Sequence, residues 1–215
     1  MFALSNFYLI YERGENTKYV SHLDFVRVFG RAMRRAQIPI AYSEGFNPHP
    51  LLTFALPLPV GHTSECEILE IVLAEDLPKE EIVSRLNSVL PAGITVKEAF
   101  DGKSRLKKLD NAKYIVRPEV FPESIDDFLA MQEICIEKKT KSGIKETDIR
   151  PDIKEIKIMP DYMEMVLSAG SRANLKPEIV IKAMNKYIEG FDSGDCAYHR
   201  IDIYDGEMNS ILRSE

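Results

Sequence analysis

Strand-forming and helix-forming segments follow one another along this chain in the order β-α-β-β-α-β, twice over. That order predicts an α+β fold of tandem duplicated ferredoxin-like (βαββαβ) units with antiparallel sheets. Three observations carry the prediction. A serine cap precedes apolar residues at helical spacing near the start, short β-branched and aromatic runs flank the helical segments, and a polar, basic stretch from Asp101 to Asn111 separates two halves of like order. The expected boundaries are an N-terminal unit over 1–102, a linker over 103–111 and a C-terminal unit over 112–215.

In the first half, Phe7 to Tyr11 reads as a strand and Arg13-Gly14-Glu15-Asn16 as a turn. Ser21 and Asp24 form an S-x-x-D capping box opening a helix. Phe25, Val26, Phe29, Ala32, Met33 and Ala36 take one face of that helix, and Arg27, Arg31, Arg34 and Arg35 take the opposite one. Gln37-Ile38-Pro39 ends it, because the residue before a proline is pushed out of the α region. A loop with the sequence YSEGFNPHP, Tyr42 to Pro50, follows. Leu51 to Leu58 and Glu65 to Leu73 are the next strands. Pro78 starts a helix with a stripe of Ile82, Val83, Leu86, Val89 and Leu90, and Ile94 to Ala99 is the fourth strand.

The second half repeats the order. Ala112 to Arg117 is a strand, and Ser124 with Asp127 opens a helix to about Lys138. Thr140 to Thr147 reads as a charged loop, and Asp152 to Ile158 and Tyr162 to Ala169 as paired strands. Asn174 or Lys176 caps a helix carrying Pro177 in its first turn, and His199 to Tyr204 closes the unit, alternating His199, Ile201 and Ile203 against Arg200, Asp202 and Tyr204.

The motifs SHLD, YSEGFNPHP and FALPLPVG, with SRANLKPEIV (Ser171 to Val180) and HRIDIY (His199 to Tyr204), closely resemble the radical-SAM-linked protein family. This is a bacterial domain of unknown function found beside or fused to cobalamin-binding radical SAM proteins. The resemblance implies a radical SAM protein as partner and supplies no reaction.

Composition narrows the classes. With 45% hydrophobic and 29% charged residues the chain is ordinary globular material, and no apolar run reaches the ~18 residues of a membrane span. The first residues lack the basic region and small-residue cleavage site of a signal peptide, so a cytoplasmic location with no membrane partner is expected. Cys66, Cys135 and Cys196 are scattered, and the CxxxCxxC set that holds a radical SAM cluster is missing, so this chain is not the radical enzyme. No cofactor is implied. The net charge of -6 argues against indiscriminate nucleic-acid binding, yet four arginines gather on one helix.

Three readings of the site follow. In the first, Arg27, Arg31, Arg34 and Arg35 bind phosphates, with Tyr42 and Phe46 stacking on bases, Asn47 binding the same ligand, and Arg172 and Lys176 forming an anion seat at a helix start. The chain is then a non-catalytic accessory module that presents a phosphate-rich ligand, RNA above all, to the radical SAM enzyme. In the second, His22 and His49 act as general base and acid with Tyr42 or Arg27 stabilising an oxyanion, a metal-independent ribonuclease-like site. In the third, the same surface docks the radical SAM partner without nucleic acid. Zinc on His22, His49, His62 and Cys66 is chemically conceivable, but the set lacks two tight ligand pairs, and no metal is expected.

Overall fold

A computed structural model of the chain describes residues 4–101, 108–140 and 143–212. Among them are ten strands and four α-helices in a mixed α/β arrangement, and the chain divides between Lys107 and Lys108 into two compact units. Most of the expected linker, 103–107, lies outside the described residues. Its last positions, Leu109 to Asn111, belong to a strand.

The first unit runs β1 (Ser5–Arg13), α1 (His22–Arg35), β2 (Leu52–Phe54), β3 (His62–Leu73), α2 (Lys79–Asn87) and β4 (Ile94–Asp101). The strands lie in the order β4-β1-β3-β2, each pairing antiparallel. Period-two alternation decides the faces. Phe7, Leu9 and Tyr11 of β1 and Leu69, Ile71 and Leu73 of β3 turn toward the helices and pack with Phe25, Phe29, Ala32, Met33, Ile82 and Leu86. Tyr11 and Phe29 meet edge to face with centroids 5.0 Å apart, and Phe29 and Phe54 at 5.7 Å. Burying each such side chain is worth roughly 1.5–3 kcal/mol, so the helix faces and the sheet specify one another. Val28, not the expected Val26, is the valine of α1 packed against this core.

Ser21 caps α1 as its spacing predicts, accepting from the Asp24 amide at 3.2 Å, but the Asp24 carboxylate takes the Ser21 hydroxyl at 2.7 Å. At the other end the helix stops before proline acts. Gln37 adopts a left-handed φ of 53°, and the Ile38 amide reaches back to the Met33 carbonyl at 3.0 Å. This closure normally uses glycine. The second strand is shorter than expected because Pro57 and Pro59 have no amide to continue the ladder, while β3 begins earlier, at His62.

The second unit contains β5 (Leu109–Pro118), α3 (Asp126–Ala130), β6 (Cys135–Thr140), β7 (Gly143–Asp148), β8 (Ile153–Ile158), β9 (Met163–Ser168), α4 (Pro177–Tyr187) and β10 (Cys196–Asp205). Its main sheet has the order β10-β5-β9-β8, again antiparallel, so both units place their last strand beside their first and their third beside their second. Met163, Met165 and Leu167 of β9 are buried as their alternation predicts.

The second unit departs from its expected elements in two places. The helix from Ser124 to Lys138 shrinks to five residues, and β6 and β7 form a separate hairpin where its second half and a loop were expected. Ile134 and Ile136 are buried two residues apart, a strand period, and the Ser124 oxygen accepts from the Asp126 amide, one residue too early for a capping box. Of the two caps expected for α4, Lys176 is the N-cap, while Asn174 bridges back to Ala169. In β10 the register shifts between Arg200 and Asp202, so Arg200 and Ile203 are the buried positions rather than a regular alternation.

Candidate functional site

The arginine residues of α1 are exposed along the side of the helix away from the core. They are not equivalent. Arg27 donates to Asp24 at 2.9 Å, and Arg35 donates to the Val89 carbonyl at 2.7 Å, bracing the end of α2. The side chains of Arg31 and Arg34 make no hydrogen bond or ion pair among the described residues, although the Arg31 charge reaches Asp24. The hydroxyl of Ser21, and then Arg27, hold the Asp24 carboxyl below the ordinary carboxylate range. From Arg27 to Arg34 the cations cover about 10 Å of helix at 1.5 Å per residue. Like charges some 6 Å apart in water repel by roughly 0.7 kcal/mol, a penalty an anion would reverse.

The YSEGFNPHP loop is a braced reversal. Tyr42 bridges Pro50, and the Leu51 amide bonds the Ala41 carbonyl at 2.8 Å. Inside that pair, the Ser43 amide donates to the His49 carbonyl at 2.9 Å and the His49 amide to Ser43 Oγ at 3.1 Å. Ser43 Oγ also lies 2.8 Å from His49 Nδ1. Gly45, with φ at +120°, turns the chain, and Phe46 and Asn47 stand exposed at the tip.

Alternation then sorts the candidates onto two faces. Thr53 is paired with Glu70, and Leu52 and Phe54 with the core residues Ile71 and Leu69, so Thr53 and Glu70 point away from the helices. The groove of about 260 Å³ that His49 lines takes in Pro50 and Leu52 but opens along Leu51, Thr53, Glu70 and Val72, on that helix-free side. The His22 ring meets Phe54 edge-on at 5.2 Å, on the helix side. Pro50 and Tyr42 share the helix side too, since a Cβ on Gly30 of α1 would lie 3.6 Å from Pro50 Cγ. Thus Tyr42, His22 and the arginines share a face, and His49 does not.

In the second unit Arg172 is exposed but donates to Asp110 at 3.2 Å, so the expected anion seat has its own internal carboxylate. Lys176 is exposed at the start of α4 and makes no side-chain cap. His62 and Cys66, both on β3, are separated by about 13 Å at 3.3 Å per residue, so their spacing cannot converge on one ion. Among the described residues no cluster of three His, Cys, Asp or Glu side chains is arranged to hold a metal.

Sequence reasoning missed Arg13. Read as part of a turn, it is buried at the end of β1, with its guanidinium donating to the carbonyls of Thr17, Lys18, Val20 and Leu58 and lying 4.4 Å from the Phe25 ring centroid. An arginine ending an otherwise apolar strand was the available signal. It fixes the chain entering α1 and hence the direction of the arginine face.

The model of a family described as an uncharacterized protein conserved in bacteria (DUF2344) matches residues 7–177. The chain belongs to this family. The matched span takes in α1, the YSEGFNPHP loop, Arg172 and Lys176, so every candidate residue named above lies within the family's own domain. No curated protein matches the sequence. No helix is long and apolar enough to cross a membrane.

Proposed function

We propose that this chain is a non-catalytic accessory module that binds RNA through the phosphate-facing arginines of α1 and presents it to a radical SAM enzyme in the cytoplasm. One observation carries the reading: the side chains of Arg31 and Arg34 project from a well-capped helix with no hydrogen bond or ion pair among the described residues, beside Arg27, whose only side-chain bond is to an exposed carboxylate. Guanidinium forks suit phosphate oxygens, and a rigid helix holds them ready. The radical SAM partner rests on the sequence resemblance. The shared strand order of the two units supports reading them as tandem ferredoxin-like domains, a scaffold that by itself implies no activity.

The ribonuclease-like alternative gains nothing from the geometry, since His22 and His49 lie on opposite faces of the sheet and His49 is engaged with Ser43. General acid and base must both reach one scissile group.

The experiment is retention of total cellular RNA on the purified protein at low salt, with and without Arg31→Ala plus Arg34→Ala. Wild type retains RNA and the double variant loses most of it. Failure of the wild type to retain RNA contradicts the proposal. Co-purification of a radical SAM protein that survives nuclease and is lost on Arg27→Glu would transfer the surface to protein docking.

A further inference from the structure

We infer that the YSEGFNPHP loop is a preformed stacking finger for an unpaired nucleobase, which makes the ligand single-stranded RNA rather than duplex. This rests on the phosphate-binding reading above. Phe46 is 106% exposed, more open than any other large apolar side chain described, yet it does not sit on a slack loop. Ser43 and His49 close the base of the finger with three contacts, and Tyr42 and Pro50 pair beneath them. The ring is therefore held out in water by a rigid support, where a slack loop would let it fold back onto apolar surface.

The position of the finger selects its occupant. Its root, Pro50, sits against Gly30 of α1, about 40° around the helix from Arg34 and 60° from Arg27 at 100° per residue. An aromatic ring beside a row of guanidiniums divides recognition as single strands require, with stacking on the base and charge on the backbone. Asn47 beside the ring offers amide donors and an acceptor to a base edge. A duplex hides its base faces in its own stack and cannot accept the ring without unstacking. On this view His49 is a positioning residue, clasped to Ser43, and not a proton-transfer group.

The test is fluorescence anisotropy with a fluorescein-labelled twelve-nucleotide adenosine RNA, alone and annealed to its uridine complement. Wild type should bind the single strand more tightly. Phe46→Ala should weaken the single strand about tenfold, leave the duplex unchanged and keep the salt slope, while Phe46→Trp restores affinity. Ser43→Ala should lose part of the single-strand preference with no change in salt slope. Salt-dependent binding by wild type that Phe46→Ala leaves unaltered, or lowers equally for both probes, overturns the finger alone. Absent or salt-independent binding of both probes by wild type overturns the phosphate reading, and the finger with it.

Discussion

Arg13 Nη1 donates to the carbonyl oxygen of Leu58 at 3.3 Å, joining residues 45 apart in the sequence. The same guanidinium takes the Val20 carbonyl at 2.6 Å, just before the Ser21 cap, so one buried side chain ties the proline-rich turn to the start of α1. The Thr17 and Lys18 carbonyls also accept from the Val20 and Gly61 amides, so replacing it costs chiefly the bonds to the Val20 and Leu58 carbonyls at ~1–3 kcal/mol each, and Arg13→Met should lower stability by about 3 kcal/mol in urea unfolding. Arg13→Lys should recover only a minor part, because an ammonium cannot fork to several carbonyls. A loss below about 1 kcal/mol for Arg13→Met would show that the brace is dispensable.

Gln37 carries the left-handed turn that closes α1, with its carbonyl taken by Arg85 at 3.1 Å. Gln37→Gly keeps that backbone bond and removes the Cβ penalty. Thermal unfolding should show a gain of about 0.5–1 kcal/mol. No gain would mean that the unfolded chain's added freedom cancels the relief.

Asp24 shields the arginine face by pairing with Arg27. Asp24→Asn keeps the Ser21 cap, which uses the Asp24 backbone amide, while removing the negative charge. RNA affinity at low salt should rise severalfold in a filter-binding titration, by the removal of one competing anion. Unchanged affinity would place the ligand away from Arg27.

Much of the first unit was legible in its sequence. The Ser21 cap and the spacing of Phe25, Phe29 and Arg27, Arg31, Arg34 are local signals that tertiary contacts reinforce. The second unit hid its hairpin because Met131, Gln132, Glu133, Glu137 and Lys138 are good helix formers, whereas Ile134 and Ile136 are driven inward only by the assembled core. The sorting of His22 and His49 onto different faces depends on the Tyr42 to Pro50 pairing, a relation between positions that periodicity in one segment cannot reveal. Arg13 was missed because the carbonyls it binds leave no trace in residue identity, and only its place at the end of β1 hinted at burial.

The hairpin of β6 and β7 sets Glu137 directly across from Glu146. Like charges in opposed positions weaken a sheet pair. Glu146→Lys should therefore stabilise the hairpin by about 0.2–1 kcal/mol, seen as slower amide exchange in β6. Faster exchange would contradict this register.

The most direct test of the arginine face is the salt dependence of RNA binding, measured as log affinity against log salt for wild type and for Arg31→Ala plus Arg34→Ala. Each phosphate contact on a single strand contributes roughly 0.7 to the slope, so the double variant should flatten it by about 1.4. An unaltered slope in the double variant, with wild type still binding, would contradict the assignment of Arg31 and Arg34 as phosphate contacts.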